Sequence, residues 1–109
     1  MVGAKDAVFT HEEVSAYYAK NILKQVWKKA HRLGFGKHFA FKETKQILDD
    51  HYYINTIASI PTIDIIEYDH TTETNFNKHW HTHGDNMNNI NKETLYAVGQ
   101  TILHVIHEQ

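Results

Sequence analysis

The sequence predicts an α/β fold in which a mostly parallel sheet is flanked by helices, and three observations carry that expectation. Residues 60–68 form a β-branched, almost continuously apolar run opened by Pro61, the pattern of a strand covered on both faces. Residues 11–33 repeat apolar side chains at helical spacing, and residues 91–107 do the same. A parallel strand lying between helix layers is the arrangement that leaves such a run no wet face.

Taken in order, the chain opens on Met1-Val2-Gly3 and a loop over residues 5–9. Thr10-His11-Glu12-Glu13 reads as a capping box, with Thr10 as N-cap, Glu13 reaching back to its amide, and Phe9 and Val14 as a hydrophobic staple. The helix that follows, residues 11–33, sets Val14, Tyr18, Ile22, Val26 and Ala30 at four-residue steps, with Leu23 and Trp27 widening the stripe. Gly34 ends it in the left-handed conformation. The stripe reads as core, and Lys20, Lys24, Lys28, Lys29 and Arg32 read as the solvated face rather than a basic patch.

A short strand is expected over residues 38–41, then a polar connector through Lys45, then a short helix within residues 48–59. By themselves the neighbouring carboxylates Asp49 and Asp50 read as solvated or as a helix cap. Asp64, inside the predicted strand, must find partners, because burying an unpaired carboxylate is costly; it reads as structural. A polar loop over residues 69–77 delivers the chain just beyond a strand's carboxyl end, where open α/β sheets place their ligands. Asn91 caps a last helix through about His107, with Leu95, Val98, Gly99, Ile102, Leu103 and Ile106 on one face. Gly99 is expected to permit close packing there, at a helix cost of about 1 kcal/mol relative to alanine.

The 109 residues allow at most one domain with a modest core. Thirteen acidic against eleven basic residues argue against an electrostatic nucleic-acid binder. No apolar run approaches the roughly 18 residues of a membrane span, and no signal-like segment opens the chain. Without cysteine there are neither disulfides nor thiolate metal sites.

The densest chemistry lies in Lys78-His79-Trp80-His81-Thr82-His83-Gly84-Asp85-Asn86-Met87. In an extended backbone His79, His81 and His83 point to one side and Trp80 and Thr82 to the other. Neutral imidazole is a common zinc ligand, yet spacing alone also fits ordinary loop histidines or a tract that chelates metal as a triad. Trp80 by itself fits a residue packing the loop, and Asp85 and Asn86 fit a turn before the last helix.

Trp80-His81-Thr82 followed by Asp85-Asn86 resembles the C-terminal signature of the zinc-dependent aminopeptidase and glutaminyl cyclase family, peptidase family twenty-eight. Leu48-Asp49-Asp50-His51, Ile60-Pro61-Thr62-Ile63-Asp64-Ile65-Ile66 and the stretch from Lys92 to Thr101 resemble further family segments in the family's order. The match spans essentially the whole chain but only the last part of the family's domain. It implies a single partial domain over residues 1–109, the C-terminal portion of a three-layer αβα zinc-exopeptidase fold.

The resemblance implies zinc as cofactor with His81 as a ligand, Asp50 in the hydrogen-bond network around substrate, and Trp80 as an aromatic wall for the substrate side chain. His79 and His83 fall where the family has no ligand. The substrate implied is a peptide N-terminus, hydrolysed in the aminopeptidase branch; the alternative is cyclisation of N-terminal glutamine to pyroglutamate. The remaining zinc ligands and the acid-base glutamate would precede Met1, so the upstream part of the same domain is an expected partner and the 109 residues alone are expected to be inactive. Family members are usually exported, which implies a periplasmic or secreted enzyme. A stand-alone histidine module and an inactive fragment are the competing readings.

Overall fold

A computed structural model describes residues 2–68, 87 and 90–108. Two parallel strands, β1 (Phe9–Glu12) and β2 (Phe39–Thr44), are joined by a crossover containing helices α1 (Glu13–Tyr18) and α2 (Lys20–Arg32) and one 3-10 turn, Gly36–His38. Helices α3 (Asp50–Thr56) and α4 (Lys92–His107) follow. Helices around a parallel strand pair are the α/β arrangement the sequence predicts, and no described helix is long and apolar enough to cross a membrane.

The first helix starts later than its apparent cap and is broken in two. Residues 9–12 belong to the sheet instead, with Phe9 paired to Phe39 and Glu12 to Thr44. Thr10 Oγ1 lies 2.8 Å from Thr44 Oγ1 and so serves the sheet. Glu12 takes over as cap, its carboxylate accepting from the N–H groups of Val14 and Ser15 at 2.9 Å. At Ala19 the backbone leaves the helical region (φ −136°, ψ 41°), which separates α1 from α2. Strand pairing satisfies the backbone of a whole segment at once and overrides a local capping signal.

Gly34 does end α2, at φ +87°. Its N–H donates to the His31 carbonyl and that of Phe35 to the Ala30 carbonyl, so two carbonyls that the helix leaves unpaired find donors. Leu23, Val26, Trp27 and Ala30 of α2 are buried with Phe9 and Phe39 of the strands. Trp27 and Phe39 meet edge to face at 5.1 Å, and the indole N–H donates to the Ala40 carbonyl at 2.9 Å. Trp27 is therefore core, as its place on the stripe predicts; Lys20, Lys24, Lys28 and Arg32 are exposed, but Lys29, expected beside them, has a side chain only 15% exposed and pairs with Glu108.

The strand expected over residues 60–68 is not a ladder among the described residues. It touches β1 through one antiparallel bridge, Phe9 to Glu67, and the residue just before β1 through the Tyr68 N–H, which donates to the Val8 carbonyl at 3.4 Å. A strand needs a neighbour whose backbone groups are free along its length, and β1 offers this segment only its beginning. In α4, Asn91 caps as predicted, its side chain accepting from the Thr94 N–H at 3.0 Å. The buried face, however, is Thr94, Ala97, Thr101 and Val105, with Val98 and Ile102 half-buried beside it, whereas Leu103 and Ile106 are 46% and 62% exposed. The helix packs on α2 through smaller side chains, and among the described residues a Cβ at Gly99 would meet nothing within 4 Å, so this glycine does not serve close packing there.

Candidate functional site

Where β1 runs into α1, the Glu12 carboxylate is fully buried. It accepts hydrogen bonds from the backbone N–H groups of Val14, Ser15 and Ile47, from the Ser15 hydroxyl at 2.9 Å, and from His51 Nε2 at 2.8 Å. Burial pushes this carboxyl up, but the donors of Ile47, Ser15 and Val14 together outweigh it and hold the group below the usual glutamate range. An ionised carboxylate only accepts, so the imidazole nitrogen facing it carries its hydrogen.

The other ring nitrogen, His51 Nδ1, lies 3.6 Å from Asp64 Oδ2. Among the described residues neither atom has a hydrogen-bond partner. The Asp64 N–H donates to Ser15 Oγ at 2.8 Å, which closes a ring: Glu12, Ser15, Asp64, His51 and back to Glu12. Asp64 is raised to about 6, first by burial; the neighbouring His51 pulls against this, and the Asp49 and Glu12 carboxylates add to it. Asp64 is thus tied by its backbone N–H, while its carboxylate meets His51 only across 3.6 Å, and the carboxylate partner that its place in an apolar run required is not a hydrogen bond among the described residues.

Of the residues singled out in the sequence, Asp50 is exposed in the first turn of α3, and its N–H donates to Asp49 Oδ1 at 2.8 Å. The cap expected of this acidic pair is therefore present and belongs to Asp49. Trp80 and His81 lie outside the described residues, as do His79, His83, Asp85 and Asn86. Tyr68, from which the chain runs on towards them, lines an open hollow of about 780 Å³ together with Glu13, Ala16, Tyr17, Lys42 and Thr44. Glu12 and Ser15 carried no signal of their role, because their partners are up to 49 residues away.

Among the described residues no group of three or more His, Asp or Glu side chains could hold a metal ion. Glu12 is saturated with donors and His51 spends Nε2 on it, which leaves His51 Nδ1 and one Asp64 oxygen, fewer than the three protein ligands of a catalytic zinc. The described residues do not by themselves make a zinc site.

Three solved structures set this arrangement in context, each matched over all of this chain. Glutaminyl cyclase from Tannerella forsythia is 44% identical with a TM-score of 0.98, and the chain covers 38% of it. A Zn-dependent exopeptidase from Parabacteroides distasonis is 47% identical with a TM-score of 0.97, 37% of it covered. A leucine aminopeptidase precursor from Bacteroides thetaiotaomicron is 46% identical with a TM-score of 0.92, 36% of it covered. The chain thus spans well under half the length of the structures it matches. A search of curated proteins found no match. The sequence pattern of peptidase family M28 matches residues 1–106, nearly the full chain, and with the likeness to its exopeptidases and glutaminyl cyclases this makes the chain a member of peptidase family M28.

Proposed function

We propose that this chain is the C-terminal portion of a zinc-dependent enzyme acting at the N-terminus of peptides, with aminopeptidase-type hydrolysis as its reaction. The observation that carries the reading is the end-to-end match to family M28 at 36–38% coverage of much longer exopeptidases and cyclases. His81 would contribute one zinc ligand, and the other ligands and the acid-base glutamate would come from the upstream part of the domain. What a bound zinc supplies in such chemistry is polarisation of the reacting carbonyl. Asp50 would hydrogen-bond in the network around the reacting groups, and Trp80 would wall the substrate side chain.

Glutaminyl cyclisation is the second reading, favoured by Trp80 directly before His81 and by the cyclase from Tannerella forsythia. In it the substrate's α-amine forms a bond to its own side-chain amide carbon, the C–N bond to the amide nitrogen breaks, and ammonia leaves. Trp80 offers a flat apolar wall suited to a short side chain. The enzyme is expected to be exported to the periplasm or beyond, which cell fractionation would check.

The test is to assay the complete protein with N-terminal glutaminyl peptides and with aminoacyl peptides. Release of the first amino acid marks hydrolysis, and loss of ammonia with the chain length intact marks cyclisation. Either activity should disappear with a chelator and return with zinc; absence of both would refute the proposal.

A further inference from the structure

α3 is placed by polar contacts rather than by a hydrophobic face. It has seven residues, too few to be stable alone. Its buried residues are His51 and Asn55, while Tyr53 and Ile54 are exposed. Asn55 holds one end, donating to the His51 and Thr62 carbonyls and accepting from the Thr62 N–H at 2.9 Å. His51 holds the other end through its bond to Glu12, a residue itself fixed by four further donors from α1 and the loop before α3. Successive helical residues are turned by about 100°, so holding the His51 ring inward determines where Asp50, one residue earlier, points outward.

We propose that His51, anchored on Glu12, is the positioning residue for Asp50. The inference rests on the reading of Asp50 as a residue of the active site. The ring supports it from a second direction: Asp64 lies on the segment that continues in sequence towards Trp80 and His81, and its N–H and carboxyl face Ser15 and His51. One buried network therefore joins the base of α1, the start of α3 and the arm over residues 60–68. Glu12 and His51 touch no substrate in this scheme. They act by keeping a short, otherwise weakly held helix in one rotational setting.

The experiment uses the complete protein carrying His51→Leu, His51→Gln or Asp50→Asn, and the His51→Leu/Asp50→Asn double variant. Glutamine keeps an amide N–H near the place of Nε2, and leucine keeps bulk without a donor. His51→Leu should lower kcat about as far as Asp50→Asn, roughly a hundredfold as for loss of a proton-transfer group, with KM changed only a few-fold. His51→Gln should recover much of that loss. The double variant should be little worse than either single one, because both changes remove the same contribution. Losses that multiply in the double variant, or no recovery with glutamine, would overturn the proposal.

A readout independent of turnover separates this proposal from the functional one. This chain has no cysteine, so in the complete protein, with any cysteine outside these residues replaced by serine, Tyr53→Cys and Tyr68→Cys can carry paired spin labels on α3 and on the arm. The distance distribution should be narrow with His51 or with His51→Gln and broad with His51→Leu; equal distributions would overturn the proposal even in a protein that turns over neither substrate. If His51→Leu does not fold, His51→Asn replaces it with the same expectations, since asparagine is too short to reach Glu12.

Discussion

Asp64 keeps its proton further up the pH scale than a free aspartate does, because burial, with Asp49 and Glu12 adding to it, outweighs the pull of His51. The folded chain therefore binds that proton more tightly than the unfolded chain. The stability this group adds is complete below about pH 4 and is lost as pH rises to about 6. Glu12 runs the other way: its stabilisation is present above the ordinary glutamate value of 4.5 and is lost as pH falls below it. Asp64→Asn keeps a neutral group beside His51, so it should raise stability at pH 7.5 by on the order of 2 kcal/mol and leave it unchanged near pH 4. Thermal unfolding at the two pH values checks this, and an equal loss at both would mean that the proton is not the cause. His81 and His83 make a second pair of outcomes. In the complete protein His81→Ala should strip most bound zinc and His83→Ala should not, as elemental analysis would show; equal losses would favour a histidine-triad module. At this scale the motif Asp49-Asp50-His51 was legible as a unit. The partner that explains its histidine was not, since Glu12 lies 39 residues earlier.

Elements whose ends are set by neighbours in sequence were read correctly, and those set by pairing were not. Asn91 and Gly34 act within one helical turn, and both occupy the roles their types predict. Thr10 has equally good capping chemistry but lies in a strand, because β2 supplies partners that no local pattern reveals. The apolar face of α4 was misread for a related reason. Periodicity finds a stripe, but the shape of α2 selects the smaller side chains beside it for burial. A glycine in a helix with open space around its Cα direction has only a cost. Gly99→Ala should therefore stabilise the chain by about 0.5–1 kcal/mol, measured by chemical unfolding. Destabilisation would mean that another surface approaches α4 there.

As a whole molecule the chain leaves apolar area uncovered on several sides: Phe41 is 60% exposed, Ile57 78%, Ile60 58% and Ile106 62%. Among the described residues the sheet is two-stranded, and the arm over residues 60–68 has one bridge where it was expected to have a ladder. Unpaired edges and apolar faces of this kind recruit other chains. The 109 residues by themselves should therefore unfold with poor cooperativity, self-associate, and show no turnover with added zinc. Sedimentation and peptide assays check this, and a monodisperse sample with chelator-sensitive turnover would contradict it.

The α/β class, the helix ends at Gly34 and Asn91, the Trp27 core stripe and membership of the family were determined by the sequence alone, because each rests on residues close together in the chain or on an ordered set of motifs. The tertiary structure decided the rest. It moved residues 9–12 from helix to strand, chose the buried face of α4, and assembled Glu12, Ser15, His51 and Asp64 into one ring. Those outcomes depend on which distant groups offer free donors, acceptors and space, and no local pattern in the sequence encodes that.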